Sequence, residues 1–204
     1  MLGIPAIKSL ISCSVGMNGI LARARFIDSP KPEQVKEYKQ VIQKMDFEAD
    51  TAQRKVWIFQ ANPQRYDVLN ALADESINID TWLVSRYIHE IRSGHLGLIW
   101  MSGKESGIYA VIDIFANPEK ICDSDESTKY WVNESDKRVP MLRIKYRYKL
   151  KLINNPITRA ELKNIPELRN MEILKNARGT NFRVTNEEWQ VILRLLRQRF
   201  DFKE

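Results

Sequence analysis

The sequence has few residues of the types that build cross-links, metal sites or histidine-based catalysis. Its 204 residues include two cysteines, Cys13 and Cys122, and two histidines, His89 and His95. Two cysteines cannot make a disulfide framework, and no CxxC motif or cysteine–histidine cluster indicates zinc. We therefore expect neither a bound metal nor a cofactor, and general acid–base catalysis by histidine is poorly supplied.

Long apolar runs and phosphate-binding motifs are also missing. No stretch reaches the roughly 18 consecutive apolar residues that indicate a membrane-spanning helix, so we expect no membrane contact and a cytoplasmic protein. The sequence contains no GxxxxGK[ST] motif, the glycine-rich loop that cradles nucleotide phosphates. It also shows no acidic triad of the kind that nucleases use.

What remains is an ordinary globular composition with a basic balance. Apolar residues make up 44% of the chain and charged residues 28%, which excludes a disordered or collagen-like protein. The length predicts roughly one to one and a half domains. The 32 basic and 26 acidic residues give a net charge of +6. That charge permits a polyanionic partner but does not identify one.

Residues 1–50 differ from the rest and are predicted to form an extension whose role the sequence does not reveal. Residues 19–27 have the composition of a short strand, and a proline-rich break follows them. Over residues 33–45, apolar side chains recur at spacings of three and four, which predicts an amphipathic helix. The polar residues 47–55 suggest a linker into a main domain that covers residues 51–204.

The first half of the main domain alternates short strands with helical segments. Residues 56–59 (VWIF) predict a buried strand, and Asn62-Pro63 predicts the start of a helix that ends near Ala73, because asparagine favours the N-cap and proline the first turn. A second short helix is predicted over 83–92. Residues 97–101 and 107–115 then predict two paired strands joined by a turn.

A long loop and a long strand follow. Residues 116–136, here called the acidic loop, carry six carboxylates. Residues 141–152 alternate strictly between apolar and basic side chains, which predicts a strand with one apolar and one basic face. The apolar set is Leu142, Ile144, Tyr146, Tyr148, Leu150 and Leu152; the basic set is Arg143, Lys145, Arg147, Lys149 and Lys151.

The C-terminal part is predicted to be helical. Prolines interrupt residues 153–170, which predict short helical turns. Thr185 and Glu188 then fit a capping box, in which each side chain bonds the other residue's backbone N–H, and an apolar stripe predicts a closing helix. Five or six strands without repeated βα units favour an α+β fold, with helices packed outside a curled mixed sheet.

Four segments resemble, in the same order, segments of the EVE domain family. They are VWIFQANPQRYDVL (56–69), Trp82 with the Ile-x-x-Gly and LIWMSG segment (91–103), GIYAV (107–111) and ARGTNFRVTNEEW (177–189). The EVE domain is PUA-like and related to the YTH readers of N6-methyladenosine. The resemblance implies a curled mixed sheet or pseudo-barrel flanked by short helices. One departure is His95, which stands where the family usually has an aspartate.

The resemblance further implies a function without catalysis: binding of a modified base in DNA or RNA. A base within a duplex shows only its edges, so a pocket that surrounds it requires a single-stranded or flipped-out base. Aromatic walls stabilise such a base by stacking, and fixed polar groups read its edge. EVE domains occur alone or attached to modification-dependent restriction enzymes. A reader linked to defence, restriction or nucleic-acid modification is therefore implied, with such an enzyme as a second candidate partner.

Two site residues are matched directly to YTH relatives. Asn62 stands where a side-chain amide meets the base, and an amide both donates and accepts. Its alternative role is to cap the following helix. Trp82 stands where a cage tryptophan lies in the relatives, at the end of a polar segment that offers little local core. Packing in the interior is the alternative for Trp82.

Further candidates come from the other tryptophans and from the most family-specific turn. Each has a structural alternative, either burial in the core or a turn that leads into the capped helix. Trp57 and Trp189 lie on apolar periodicity and are predicted to be core residues. The candidates for base binding are Trp100, Trp131, Arg178, Gly179, Thr180 and Asn181.

The basic face of the long strand suggests a track for phosphates. Arg143, Lys145 and Arg147 are the candidate contacts, because cations outside a base pocket neutralise the nucleic-acid backbone. The alternative is a solvated strand face that pairs with the acidic loop, which is the usual role of alternating charge.

Two other functions compete with base binding. A nucleotide-modifying enzyme needs a base or nucleophile near the pocket, but only Asp67 and the Glu187-Glu188 pair fall in the four matching segments, and both resemble helix surface. A protein-interaction adaptor would instead use residues 1–50 to dock a separate nuclease or modification enzyme.

Overall fold

The computed structural model describes residues 32–51, 54–133 and 139–200, with side chains up to Met45 in the first range. The predicted strand at 19–27 lies outside these residues. The helices are α1 (Pro32–Thr51), α2 (Val68–Ala73), α3 (Asp125–Thr128), α4 (Arg159–Asn164), α5 (Glu172–Lys175) and α6 (Asn186–Phe200). The strands are β1 (Val56–Ala61), β2 (Ile79–Leu83), β3 (Leu96–Met101), β4 (Gly107–Ile114), β5 (Glu119–Ile121), β6 (Met141–Lys151), β7 (Ile157–Thr158) and β8 (Asn181–Val184).

The strands form one mixed sheet in the order β2-β6-β4-β3-β1-β8, with β5 on β6 and β7 on β4. Of these pairs, β1 with β3 is parallel and the others are antiparallel. The sheet curls so that its two end strands approach each other. Asn181 of β8 donates from Nδ2 to the carbonyl oxygen of Leu83, at the end of β2, over 3.0 Å. The result is the α+β half-barrel with short flanking helices that the sequence predicts.

Apolar side chains cover both faces of the sheet, which explains the unbroken apolar run of β1. Val56 and Ile58 lie in a first core with α1 and α6, while Trp57 and Phe59 lie in a second core with α2. Successive residues of a strand point to opposite faces, so a strand buried on both sides contains no polar alternation. Trp57 and Trp189 are both buried, which confirms their prediction as core residues.

Most of the predicted strands are confirmed, with bounds shifted by a few residues. The segments predicted at 56–59, 97–101, 107–115 and 141–152 are β1, β3, β4 and β6. The capping box is also confirmed: Glu188 N donates to Thr185 Oγ1 over 3.2 Å, and Thr185 N donates to Glu188 Oε2 over 2.8 Å.

The helix predicted over 33–45 is confirmed but continues to Thr51, so the linker predicted from residue 47 is wrong over its first part. Helix α1 therefore runs six residues beyond the end that the apolar pattern predicts. Ile42 and Met45, on the face that the periodicity identified, are buried against the first core.

One predicted helix ends at Ala73 as expected but begins later, and another is wrong. The chain after Asn62 forms a turn, and α2 begins only at Val68 with Asp67 as its N-cap. Asn62 closes that turn, because its Oδ1 accepts the Gln64 N–H over 3.0 Å. Residues 83–92 hold the last residue of β2 and a turn rather than a helix. Tyr87 has a φ of +59°, outside the right-handed helical region, which interrupts a helix at that point. The acidic loop contains two short elements, β5 and α3.

Candidate functional site

A cavity of about 180 Å³ lies where the end strands of the curled sheet approach each other. Its walls come from the end of β1, from β2, from the acidic loop and from the turn before β8. Asn62 and Arg65 line the cavity and are exposed, so it reaches the surface. Ligand pockets for drug-sized molecules measure about 300–1,000 Å³. This cavity therefore suits a smaller group.

Three aromatic side chains form one side of the cavity. The ring of Tyr66 meets the Trp82 indole edge to face, with centroids 5.6 Å apart, and meets the Trp131 indole at 5.2 Å. Trp82 is 9% exposed and pairs with Ile144 of β6 across the sheet. Trp131 is half-buried. The packing of Tyr66 between the two indoles gives the cavity rigid apolar walls.

A buried ion pair forms the polar floor. Asp123 and Arg143 lie 3.1 Å apart, and their side chains are 3% and 5% exposed. Asp123 Oδ1 also accepts from Thr81 Oγ1 over 2.6 Å, and Asp123 Oδ2 accepts from the Trp131 indole Nε1 over 2.5 Å. The carboxylate therefore fixes the indole wall and neutralises the arginine, and both of its oxygens are engaged.

The cavity lining also includes Gln60, Asn62 and a glycine turn. Gln60 of β1 donates from Nε2 to the carbonyl oxygens of Ala177 and Gly179, over 3.1 and 3.0 Å. Gly179 has φ of +152°, and a Cβ there would lie 3.2 Å from Arg86 Nη1. Thr180 lines the cavity next to it. The glycine lets the chain turn closely past the rim.

The structure places several predicted site residues together. Asn62, Trp82, Trp131, Gly179 and Thr180 all line the cavity. Asn62 thus combines a turn-closing role for its oxygen with a place at the cavity mouth.

Three other predicted base contacts lie elsewhere. Trp100 is 2% exposed and lies in the first core. Successive side chains of β3 point to opposite faces of the sheet, and that of Trp100 points to the face away from the cavity. Asn181 is fully buried, and its Oδ1 accepts from the backbone N–H groups of Ser85 and Arg86 over 2.9 and 3.2 Å. It closes the sheet instead of meeting a ligand. Arg178 is exposed just outside the cavity and does not line it.

The predicted phosphate track does not form one exposed face. Arg143 is 4% exposed because β5 pairs with that end of β6 and brings the acidic loop over it. Lys145 pairs with Glu119 over 2.7 Å, and Arg147 lies over the Phe115 ring at 5.7 Å. Arg143 and Lys145 instead pair with carboxylates of the acidic loop, which is the alternative that the alternating charge suggested.

The sequence patterns do not single out several of the residues that line the cavity. Gln60 and Tyr66 lie within the segment VWIFQANPQRYDVL, but a glutamine and a tyrosine between apolar residues carry no distinctive pattern. Asp123 was one of six carboxylates in the acidic loop. Its partner Arg143 was visible only as part of the alternating strand, so nothing in either segment singled out the pair.

A second buried carboxylate lies behind the cavity floor. Asp80 is 1% exposed and accepts from Thr81 N over 2.7 Å and from the Tyr146 hydroxyl over 3.2 Å. Burial raises the pKa of Asp80 to about 6, and the charge of Asp123 acts in the same direction. Burial also raises the pKa of Tyr66 and of Tyr146. These hydroxyls stay neutral near pH 7.

His95 occupies the position at which the sequence departs from the family pattern. Its Nδ1 accepts from the Trp57 indole Nε1 over 3.0 Å and from the Arg92 backbone N–H over 3.1 Å. Burial lowers the pKa of His95, and the nearby Lys55, Arg92 and Arg54 lower it further. An accepting Nδ1 carries no proton, so the imidazole is neutral in this arrangement.

The described residues contain no group of three or more histidine, cysteine or acidic side chains placed to hold a metal ion. Within the same residues, no helix has the length and apolar character needed to cross a membrane.

The model of the EVE domain family matches residues 55–195. The chain belongs to the EVE domain family. The family assignment predicted from the four segments is thus confirmed, and the cavity, the aromatic walls and the glycine turn all lie within this EVE domain. A search of curated proteins finds no match.

Solved structures share the fold of this EVE domain at low sequence identity. A hypothetical protein from Leishmania major is 19% identical with a TM-score of 0.53, covering 72% of this chain and 96% of its own. Human THYN1, solved in complex with DNA containing 5-methylcytosine, is 16% identical with a TM-score of 0.52, covering 74% and 99%. A Pseudomonas putida protein is 20% identical with a TM-score of 0.51, covering 69% and 99%.

Proposed function

We propose that this EVE domain binds a modified base of a nucleic acid in the cavity beside Trp82, without catalysis. The observation that carries the proposal is a cavity that reaches the surface and is lined by three aromatic residues together with Gln60 and Asn62. A planar heterocycle is stabilised by stacking on aromatic faces, at roughly 1–3 kcal/mol per base. THYN1, which shares this fold, was solved with DNA that contains 5-methylcytosine.

The cavity sets the state of the base that it accepts. The cavity is lined by Trp82, Tyr66 and the buried Asp123–Arg143 pair, so a base inside it would be contacted on several sides. A base that is paired in a duplex offers only its edges. The base therefore enters from a single strand or after flipping out of a duplex. A methyl group on the base adds apolar contact with the indoles, at about 0.8 kcal/mol per CH₂-sized group. That corresponds to about fourfold in affinity.

The charges around the cavity favour a polyanion. The chain carries a net charge of +6, and the exposed Arg65 and Arg178 lie at or beside the mouth. Phosphate contacts made by such residues weaken as salt displaces them, so binding should fall with rising salt concentration.

The described residues favour binding over the competing functions. Two of the three carboxylates named as candidate catalysts act in local structure: Asp67 caps α2, and Glu188 completes the capping box. An adaptor that docked through α1, the described part of residues 1–50, would need a free apolar face on that helix. The apolar face of α1 at Ile42 and Met45 is instead buried against the chain's own core. A link to a restriction or modification enzyme stays a prediction from the resemblance.

The proposal is tested by titrating the full chain with single-stranded oligonucleotides that differ at one base, modified or plain. We expect tighter binding to at least one modified base, and a loss of about tenfold or more for Trp82→Ala, because the stacking surface is removed. Asn62→Ala, at an exposed position, should weaken binding without unfolding the protein.

Phe115→Ala is the matched control, because Phe115 is a 38% exposed aromatic residue away from the cavity. Its affinity should equal that of the unaltered chain. Equal affinity for modified and plain bases, or equal losses for Trp82→Ala and Phe115→Ala, would reject the proposal.

A further inference from the structure

Arg86 is held in a fixed place after the end of β2, beside the turn that carries Gly179. Its guanidinium group lies over the Tyr87 ring, with Cζ 5.0 Å from the ring centroid, and over the Phe182 ring at 5.8 Å. Its Nη2 donates to Glu172 Oε1 over 3.0 Å. Tyr87 has a φ of +59°, a conformation that bulky residues rarely adopt and that costs free energy. The chain therefore accepts local strain at the point where it holds this arginine.

The guanidinium group of Arg86 lies against the turn that lines the cavity. A Cβ on Gly179 would lie 3.2 Å from Arg86 Nη1, and Gly179 and Thr180 both line the cavity. The Thr180 hydroxyl is hydrogen-bonded to the hydroxyl of Ser85, the residue before Arg86. Because Gly179 has no side chain, the guanidinium group reaches the backbone of the cavity lining.

Part of this guanidinium group is available to a ligand. The Arg86 side chain is 42% exposed. Its Nη2 is used by Glu172 and by the Tyr87 hydroxyl, whereas Nη1 and Nε donate no hydrogen bond to any residue in the described part of the chain. Arg178, which precedes Gly179, is also exposed. Two arginines against the carboxylate of Glu172 leave positive charge beside the cavity.

We infer that Arg86 binds the phosphate group next to the nucleoside whose base occupies the cavity. This inference rests on the proposed function. A sugar separates each phosphate from its base, so a phosphate contact belongs beside the cavity, where Arg86 lies, and not among the residues that surround the base. A guanidinium group keeps its charge and donates several hydrogen bonds, which suits phosphate oxygens. Arg86 thus positions the strand, while the cavity reads the base.

The test uses two single-stranded oligonucleotides, one with a central 5-methylcytosine and one with a central N6-methyladenine. In each, the phosphate on the 5′ or the 3′ side of that base is replaced by an uncharged methylphosphonate. For the unaltered chain and the oligonucleotide that it binds more tightly, one replacement should weaken binding by about tenfold, because a hydrogen bond to a charged group is lost.

Arg86→Gln should bind the unmodified strand more weakly and should lose nothing further on that replacement, because the partner of the phosphate is already absent. The slope of log affinity against log salt concentration should also become shallower by about 0.7, the value for one phosphate contact on a single strand. Since the main result is a ratio between two ligands on one protein, a general change in affinity cancels.

Two variants separate a phosphate contact from a structural role of Arg86. Glu172→Gln removes the ion-pair partner but leaves the cation, so affinity should stay equal or rise and the methylphosphonate effect should remain. Arg147→Gln is matched in charge, because Arg147 is an exposed arginine that lies over the Phe115 ring, away from the cavity. It should also keep the methylphosphonate effect. Circular dichroism checks that each variant is folded.

Trp82→Ala distinguishes failure of this inference from failure of the proposed function. If binding depends on Trp82, three results overturn the role of Arg86 alone. These are no effect of either replacement on the unaltered chain, an equal effect on Arg86→Gln, and loss of the effect in Glu172→Gln as well. If neither oligonucleotide binds in a Trp82-dependent manner, base recognition in the cavity is rejected and this inference falls with it.

Discussion

Tyr66 and Trp131 are joined through both backbone and side chain. Their backbones form an isolated antiparallel bridge, and their rings meet with centroids 5.2 Å apart. Two neighbouring backbone hydrogen bonds, from Asp67 N to Tyr130 O and from Val132 N to Arg65 O, extend the contact. The turn after β1 and the acidic loop therefore form one unit, although they are far apart in sequence, and the protein's own contacts hold the aromatic walls of the cavity in place.

Loss of Asp123 should destabilise the protein strongly. Asp123→Ala leaves the Arg143 charge buried without its partner and frees the Trp131 indole. We expect the free energy of unfolding to fall by about 3–5 kcal/mol, as measured by urea denaturation. Replacement of Arg143 by Met in the same chain should recover much of the loss, because no buried charge then remains unpaired.

Glu119→Ala is the control for that prediction. The Glu119–Lys145 pair joins the same two segments, but its side chains are 48% and 42% exposed. An exposed pair contributes about 0–1 kcal/mol, so this variant should be nearly neutral. Similar losses for the two variants would show that the buried pair has no special role.

Asp80 should make the protein more stable as the pH falls from about 6 to about 4. Its folded pKa is about 6 against an ordinary value of 3.8, so the folded state binds the proton first. A folded pKa that is roughly two units above the ordinary value corresponds to about 3 kcal/mol in the free energy of unfolding. The stabilisation is complete below pH 4 and is lost as the pH rises through 6. Urea unfolding of the wild type and of Asp80→Asn across this range isolates the contribution of Asp80 to the free energy of unfolding, because the other groups titrate alike in both proteins. Parallel curves would contradict it.

The sequence predicts the architecture better than the details of the site. The long alternation of β6 and the Thr185–Glu188 box are local patterns, and both predict their elements correctly. The turn after Asn62 could not be predicted locally, because Tyr66 is held by a bridge to Trp131, 65 residues later. The alternation of β6 predicts an exposed Arg143. That prediction fails because Asp123, which is distant in sequence, reaches Arg143 only through the pairing of β5 with β6.

His95 should make the protein less stable as the pH falls below about 6.5. Its folded pKa is lowered from the ordinary value of 6.5, so below that pH the unfolded chain binds the proton first and unfolding is favoured. Protonation of Nδ1 would also remove both hydrogen bonds that it accepts. His95→Asn offers an acceptor that does not titrate in this range, so thermal melts between pH 5 and 7 should show a smaller decline than the wild type. An identical decline would contradict the role of His95.

Helix α1 should contribute to the stability of the EVE domain, although it lies outside the matched residues 55–195. Met45 is fully buried against the first core, so Met45→Ala should lower the free energy of unfolding by about 2–5 kcal/mol. Lys44→Ala, at the adjacent exposed position, is the control and should change it by less than about 0.5 kcal/mol. Both are measured by urea denaturation of the full chain. Equal values for the two variants would mean that α1 does not pack on the domain in solution.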